Sequence, residues 1–180
     1  PSRIRTVISA DLDNDGYDEV FLNNIGEPNK LFRILENGLI KQIPLDIGLE
    51  PDGYGTGAAV ADIDNDGILE LLVSHGESRD QPLSLYKAKV NPEHKYLRIR
   101  PLNKYGAPAR GATVTLISNL RKHSKTIDSG SGYLCQMEPV AHYGIRKNEN
   151  NIKIEIKWTN GKTKIISVKK LNQTITLKQK

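Results

Sequence analysis

Asp11, Asp13 and Asp15 stand at positions one, three and five of a short acidic stretch, and Glu19 stands at position nine. Asp62, Asp64, Asp66 and Glu70 repeat that spacing 51 residues further on. Alternate carboxylates on a tight turn converge on one point, and three of them within a few ångströms repel strongly unless a cation intervenes. Position six is glycine in both copies, Gly16 and Gly67, which allows a sharp turn with positive φ. Asn14 and Asn65 suit a left-handed turn position. Position seven is Tyr17 in one copy and Ile68 in the other. A ligand drawn from the backbone carbonyl explains why that side chain is free to be apolar. A set of hard oxygen donors of this kind fits Ca²⁺, which takes six to eight oxygens in a flexible shell. Magnesium fits less well, because it favours fewer protein ligands. The expected site residues are Asp11, Asp13, Asp15, Tyr17 and Glu19 in the first loop. In the second they are Asp62, Asp64, Asp66, Ile68 and Glu70. The expected cofactor is two structural Ca²⁺ ions. Acidic turns that use Asp and Asn for hydrogen bonding alone are the plainer alternative.

These loops open like an EF-hand but do not continue as one. Position twelve is Leu22 or Val73 where an EF-hand needs glutamate, and the segments that follow are β-patterned. Asp18, at position eight, is expected to point away from the ion. The loops therefore need strands on either side. Residues 6–10 and 58–61 lead in, and residues 20–22 and 69–74 lead out. Residues 30–35, 39–43 and 83–88 are further strand candidates, separated by Gly, Asn and Pro clusters. No helix is expected. The heptapeptides ADLDNDG at 10–16 and ADIDNDG at 61–67 share six of seven positions, so the segment is a repeat. About four short strands in roughly fifty residues is the pitch of a propeller blade.

The remainder of the chain is also expected to be β. Residues 96–100 and 113–117 are candidates. The clearest is 152–158, where Ile152, Ile154, Ile156 and Trp158 alternate with polar residues and share one buried face. Asn160 and Gly161 follow as a hairpin turn. Residues 163–168 return, and 174–177 form a last strand. This reads as a small antiparallel sandwich or barrel with a basic outer face. Residues 1–90 hold 8 Lys and Arg against 16 Asp and Glu, whereas 91–180 hold 18 against 5. The split supports two domains, 1–90 and 91–180. The whole is expected to be all-β: a partial propeller of about two blades, then the small β domain.

Other residues point to less. Cys135 is the single cysteine of the 180 residues, so no internal disulfide is possible. Cys135 and His142 have no third orienting group at a recognisable spacing, and His142 is expected in a turn. His75, His94 and His123 show no zinc spacing. The glycines at 53–57 and 130–132 lack the lysine and strand-to-helix context of a phosphate loop. No apolar run is long enough to span a bilayer. The chain begins Pro-Ser-Arg, as a processed form or part of a longer protein would. Arg121, Lys122, Lys125, Lys153, Lys157, Lys162 and Lys164 could attract an acidic polymer, with Lys153, Lys157 and Lys164 on one face. A solvated basic face is the commoner explanation, and the lack of interleaved aromatics makes nucleic acid a poor partner. An enzyme acting on a polysaccharide or another acidic polymer would need paired acids outside the loops; Glu138 and Glu149 are the candidates.

The stretches DLDNDGYDE (11–19) and DIDNDGILE (62–70) resemble the calcium loops of FG-GAP/VCBS repeats. GYGTGAA (53–59) resembles the glycine-rich lead-in to such a blade. Glutamate at position nine departs from the commoner aspartate. YLRIRP (96–101), GAPARGATV (106–114), SGSGYLCQ (129–136), HYGI (142–145) and IKWTNG (156–161) are similar to the ASPIC/UnbV domain. The resemblance implies integrin-like propeller blades, completed by further blades or by other subunits. It also implies a non-catalytic interaction or adhesion module that is secreted, periplasmic or at the cell surface, with a protein or glycan partner.

Overall fold

The computed structural model describes residues 3–44, 53–76 and 80–180, and among them every regular element is a β-strand. The fourteen strands are β1 Ile4–Ala10, β2 Glu19–Asn24, β3 Lys30–Ile34, β4 Ile40–Ile43, β5 Ala58–Ala61, β6 Glu70–Val73 and β7 Ser84–Lys87, followed by β8 Lys95–Leu102, β9 Thr113–Ile117, β10 Lys122–Thr126, β11 Ala141–Ile145, β12 Lys153–Lys157, β13 Thr163–Ser167 and β14 Gln173–Lys178. The chain divides into two compact units. One holds Pro1–Asp13, Tyr17–Val90 and Gly130–Met137; the other holds Asn14–Gly16, Asn91–Ser129 and Glu138–Lys180.

The first unit contains two open antiparallel sheets, β1-β2-β3-β4 and β5-β6-β7. Each acidic loop joins the first two strands of its sheet. Strand alternation sends Ile8, Ala10 and Phe21 from one sheet, and Ala58, Val60, Leu71 and Val73 from the other, into a shared buried cluster. The second sheet has three strands among the described residues, one fewer than the expected four. The glycine-rich lead-in passes hard against its neighbours. A Cβ at Gly55 would lie 2.1 Å from Asn23 Oδ1, and one at Gly57 would lie 2.2 Å from Cys135 Sγ. The fully buried Asn23 amide uses that approach, donating to Gly57 O at 3.1 Å and Ser74 O at 3.2 Å.

In the second unit the sheets β10-β9-β12-β13 and β11-β8-β14 enclose one core. Register brings Ile154 opposite Leu116 and Ile156 opposite Val114 on the face that meets Leu97, Ile99, Tyr143 and Ile145. The alternation of residues 152–158 thus forms the expected buried row, ending in Trp158, whose Nε1 donates to Leu102 O at 3.0 Å. Gly161, with φ of 83°, closes a three-residue loop, and Trp158 N donates to Lys162 O at 2.9 Å.

Three expectations for this unit need correction. It is not purely antiparallel, because β14 runs parallel to β8. The chain leaves β13 in one sheet and enters β14 in the other, so β14 meets β8 without a hairpin. Strands β10 and β11 were not anticipated. β10 is a polar edge strand, KHSKT, and β11 is buried at every position, so neither shows a period-two apolar pattern. His142 accordingly lies in a strand and not in a turn. Lys164 pairs with Ile156 and so takes the core-side face, away from Lys153 and Lys157, which pair with Ser167 and Thr163.

Candidate metal loops

The two loops share their left-handed positions. Asn14 and Asn65 have φ of 58° and 63°, and Gly16 and Gly67 have φ of 89° and 84°. These are the left-handed positions that the sequence assigned to asparagine and glycine. Each turn gathers its three aspartates: ligand oxygens of Asp11, Asp13 and Asp15 lie within 4.8 Å of one another, as do those of Asp62, Asp64 and Asp66. Asp11 and Asp62 are buried, and Asp13 and Asp15 half-buried, while Asp64 and Asp66 are exposed.

Position nine closes each loop in the same way. Glu19 Oε2 accepts from Leu12 N at 3.0 Å, and Glu70 Oε2 accepts from Ile63 N at 2.8 Å. The first residue of the outgoing strand thereby clasps the second residue of the loop. Within the second loop, Gly67 N donates to Asp62 Oδ2 at 3.1 Å and Ile68 N donates to Asp66 Oδ1 at 2.8 Å. Asp18 is turned to Ser9, whose hydroxyl donates to Asp18 Oδ2 at 3.2 Å. Tyr17 and Ile68 are half-buried at position seven, just after the positive-φ glycine.

The electrostatics are those of crowded carboxylates. Glu19 is pushed up to about 8, first by burial and then by the neighbouring charge of Asp13, against opposing hydrogen bonds from Leu12 N and Arg33. A divalent cation at that point would remove the cause by offsetting both burial and repulsion. The donor set is all hard oxygen, as calcium requires. The chemistry of these residues therefore fits the ion.

Two basic residues in this region were not among the expected ones. Arg33 pairs with Glu19 through Nε at 3.2 Å and with Asp13 through Nη2. Lys87 Nζ lies 2.8 Å from Asp64 Oδ2, 2.8 Å from Asp66 Oδ2 and 2.5 Å from Glu70 Oε1. These contacts hold Lys87 in its charged form and lower the Asp64 carboxyl. The repeat offset hides the equivalence, because 51 residues beyond Arg33 is Ser84. Strand register reveals it, since Glu19 faces Arg33 and Glu70 faces Lys87 across the ladder.

The remaining candidates serve local structure. Cys135 packs over Gly57, and burial pushes its thiol up, away from the nucleophilic thiolate. His142 is buried, with Nε2 2.7 Å from Asn14 Oδ1, and burial holds it neutral with a pKa lowered to about 3. Glu138 pairs with the buried Arg98. Glu149 accepts from Ser118 Oγ at 2.8 Å and Arg121 Nε at 2.9 Å.

Comparison with known proteins agrees with these features. Residues 11–73 match the FG-GAP-like repeat, and residues 103–180 match ASPIC and UnbV. Cartilage acidic protein 1 of Xenopus tropicalis is 44% identical over 98% of this chain and 29% of its own length. The Homo sapiens protein of the same name is 47% identical over 90% of this chain and 26% of its own length. The chain thus spans less than a third of the length of these relatives. It carries a match to the FG-GAP-like repeat followed by a match to ASPIC and UnbV, and it is similar to cartilage acidic protein 1.

Proposed function

We propose that this chain is a non-catalytic interaction module, working at or beyond the cell surface, whose repeats are locked by two structural calcium ions. The observation that carries the reading is the duplicate loop: the same three convergent aspartates, the same two left-handed residues and the same glutamate clasp. Asp11, Asp13, Asp15, Glu19 and the Tyr17 carbonyl would hold one ion. Asp62, Asp64, Asp66, Glu70 and the Ile68 carbonyl would hold the other. When bound, calcium supplies charge neutralisation and fixes the strands that flank each loop. The two sheets of the first unit are read as blades of a propeller that further repeats complete. Their neighbour in sequence, the ASPIC and UnbV domain, is read as part of the surface that meets a protein or glycan partner. The name of the relatives, which places them with cartilage, favours a location outside the cytosol.

Several observations support a non-catalytic role. Glu138 and Glu149 are each held by an arginine. Two hollows beside Trp158 are lined by Asn103, Arg110, Thr159, Gln179 and lysines, with no carboxylate side chain. The candidate lysines divide between two places, and Lys162 and Lys164 line one of these hollows. Only Lys122, Lys153 and Lys157 share the outer face of their sheet, with Glu155 between the last two.

Calcium that binds the folded loop far better than the unfolded chain stabilises by mass action. Each loop contributes about 2.7 kcal/mol when calcium exceeds its Kd a hundredfold. For a unit of this size that raises the melting temperature by roughly 10 °C or more. Melting followed by circular dichroism in calcium and in EGTA tests the reading. Equal melting temperatures, with no heat of calcium binding in titration calorimetry, would sink it.

A further inference from the structure

We propose that Arg33 and Lys87 are built-in counter-cations that each loop must release to take calcium, so that they set its calcium affinity. The inference rests on the calcium reading above and extends it to residues outside the acidic stretch. Three observations carry it. The Lys87 ammonium touches Asp64, Asp66 and Glu70, three of the four carboxylates that the ion needs. Arg33 touches Asp13 and Glu19 in the first loop. Both basic residues occupy the same structural position, on the third strand of their sheet and directly across the ladder from the position-nine glutamate. Two sheets that differ in the connection between these strands have kept a cation at that point, although the sequence offset is broken.

The physical conflict is simple. An ammonium and a divalent ion cannot both hold the same three oxygens, because they compete for the same lone pairs and repel each other at a separation of a few ångströms. Calcium must therefore displace the side chain. Among the described residues Lys87 is on an edge strand, and its side chain is a third exposed, so its four-carbon stem can swing the charge into water. Without calcium the same side chains offset the carboxylate repulsion, so the repeats can fold before they meet the ion. The exchange trades affinity for stability of the metal-free state. Arg33 grips with a planar fork and Lys87 with a flexible point charge, so the two loops need not release their cations equally easily.

The test uses calcium chloride alone, with one loop silenced at a time in the full chain. With the first loop silenced by Asp13→Asn, Lys87→Met is compared with Lys87. With the second silenced by Asp64→Asn, Arg33→Gln is compared with Arg33. Titration calorimetry should show calcium binding tighter by on the order of tenfold after either substitution. Melting in EGTA should fall by a few degrees, and melting in saturating calcium should not change. Unchanged or weaker affinity in both variants overturns the exchange. If the unsubstituted chain binds no calcium, the calcium reading itself fails and the exchange fails with it. A variant that does not fold leaves the other loop to decide, because the two substitutions lie on different sheets.

Discussion

Burial gives single residues of this protein their character. His142 shows this outside the loops. It lies in the middle of β11, with 4% of its surface exposed, and its ring is parallel to Tyr96 at 6.3 Å. Its Nε2 faces Asn14 Oδ1, and its Nδ1 has no hydrogen-bond partner among the described residues. Burial disfavours the charged ring, and Lys125 and Arg98 add repulsion, so its pKa in the fold is lowered to about 3. The unfolded value is about 6.5. A depressed histidine leaves stability intact above the unfolded pKa and removes it as pH falls below that value. The loss continues until the folded pKa is reached. Between pH 7.5 and pH 5 this one group should remove about 2 kcal/mol. Urea unfolding of the parent and of His142→Gln at both pH values should show the parent losing about 2 kcal/mol relative to the variant, because the oppositely directed titration of Glu19 is common to both. An equal loss in the variant would mean that other groups cause it. Cys135 is half-buried against Gly57, and that partial burial raises its thiol pKa.

At the scale of elements, legibility depended on whether a strand has one wet face. Residues 152–158 alternate because one side meets a core and the other carries exposed Lys153 and Lys157, and residues 113–117 alternate threonine with core-facing Val114 and Leu116, so both strands were plain in the sequence. β10 lies at a sheet edge with polar residues at every position, and β11 is buried on both faces, so neither shows an apolar–polar alternation in sequence. The carboxylates, asparagines and glycines of the loops were readable because they act through local backbone geometry. Arg33 and Lys87 were not, because they reach the loops only through strand register, which the sequence does not display. The β12 row has a checkable cost. Ile156 is fully buried between the paired strands β9 and β13, and its neighbours in the core are Leu97, Ile99 and Tyr143. Ile156→Ala should cost about 2–5 kcal/mol, through lost transfer energy and a cavity that the two sheets cannot collapse. Lys157→Ala, one residue on and facing solvent, should change stability by no more than about 0.5 kcal/mol. Chemical denaturation of both variants decides the point. A similar small effect for each would mean that the row is not packed as described.

At the scale of the whole chain, the two cores are separate residue sets. Ile8, Phe21, Val60 and Val73 belong to one, and Leu97, Val114, Ile154 and Trp158 to the other. Each unit thus has its own source of cooperativity, and the loops distribute their effects unequally. Every residue of the second loop, and Lys87, belongs to the first unit. Trp158 is the one tryptophan of the sequence and lies 5% exposed in the second core. Its fluorescence therefore reports unfolding of the second unit, whereas circular dichroism reports both. This separation yields a prediction about where calcium acts. In Asp64→Asn the second loop loses a ligand, so the calcium-dependent rise in melting seen by circular dichroism should shrink by several degrees. The melting of Trp158 fluorescence in calcium should stay within about a degree of the parent protein, because no residue of the second loop supports that core. If the Trp158 transition instead falls in step with circular dichroism, the chain unfolds as one body, and the second loop stabilises both cores together. That outcome would extend the role of calcium from locking a repeat to holding the whole chain folded.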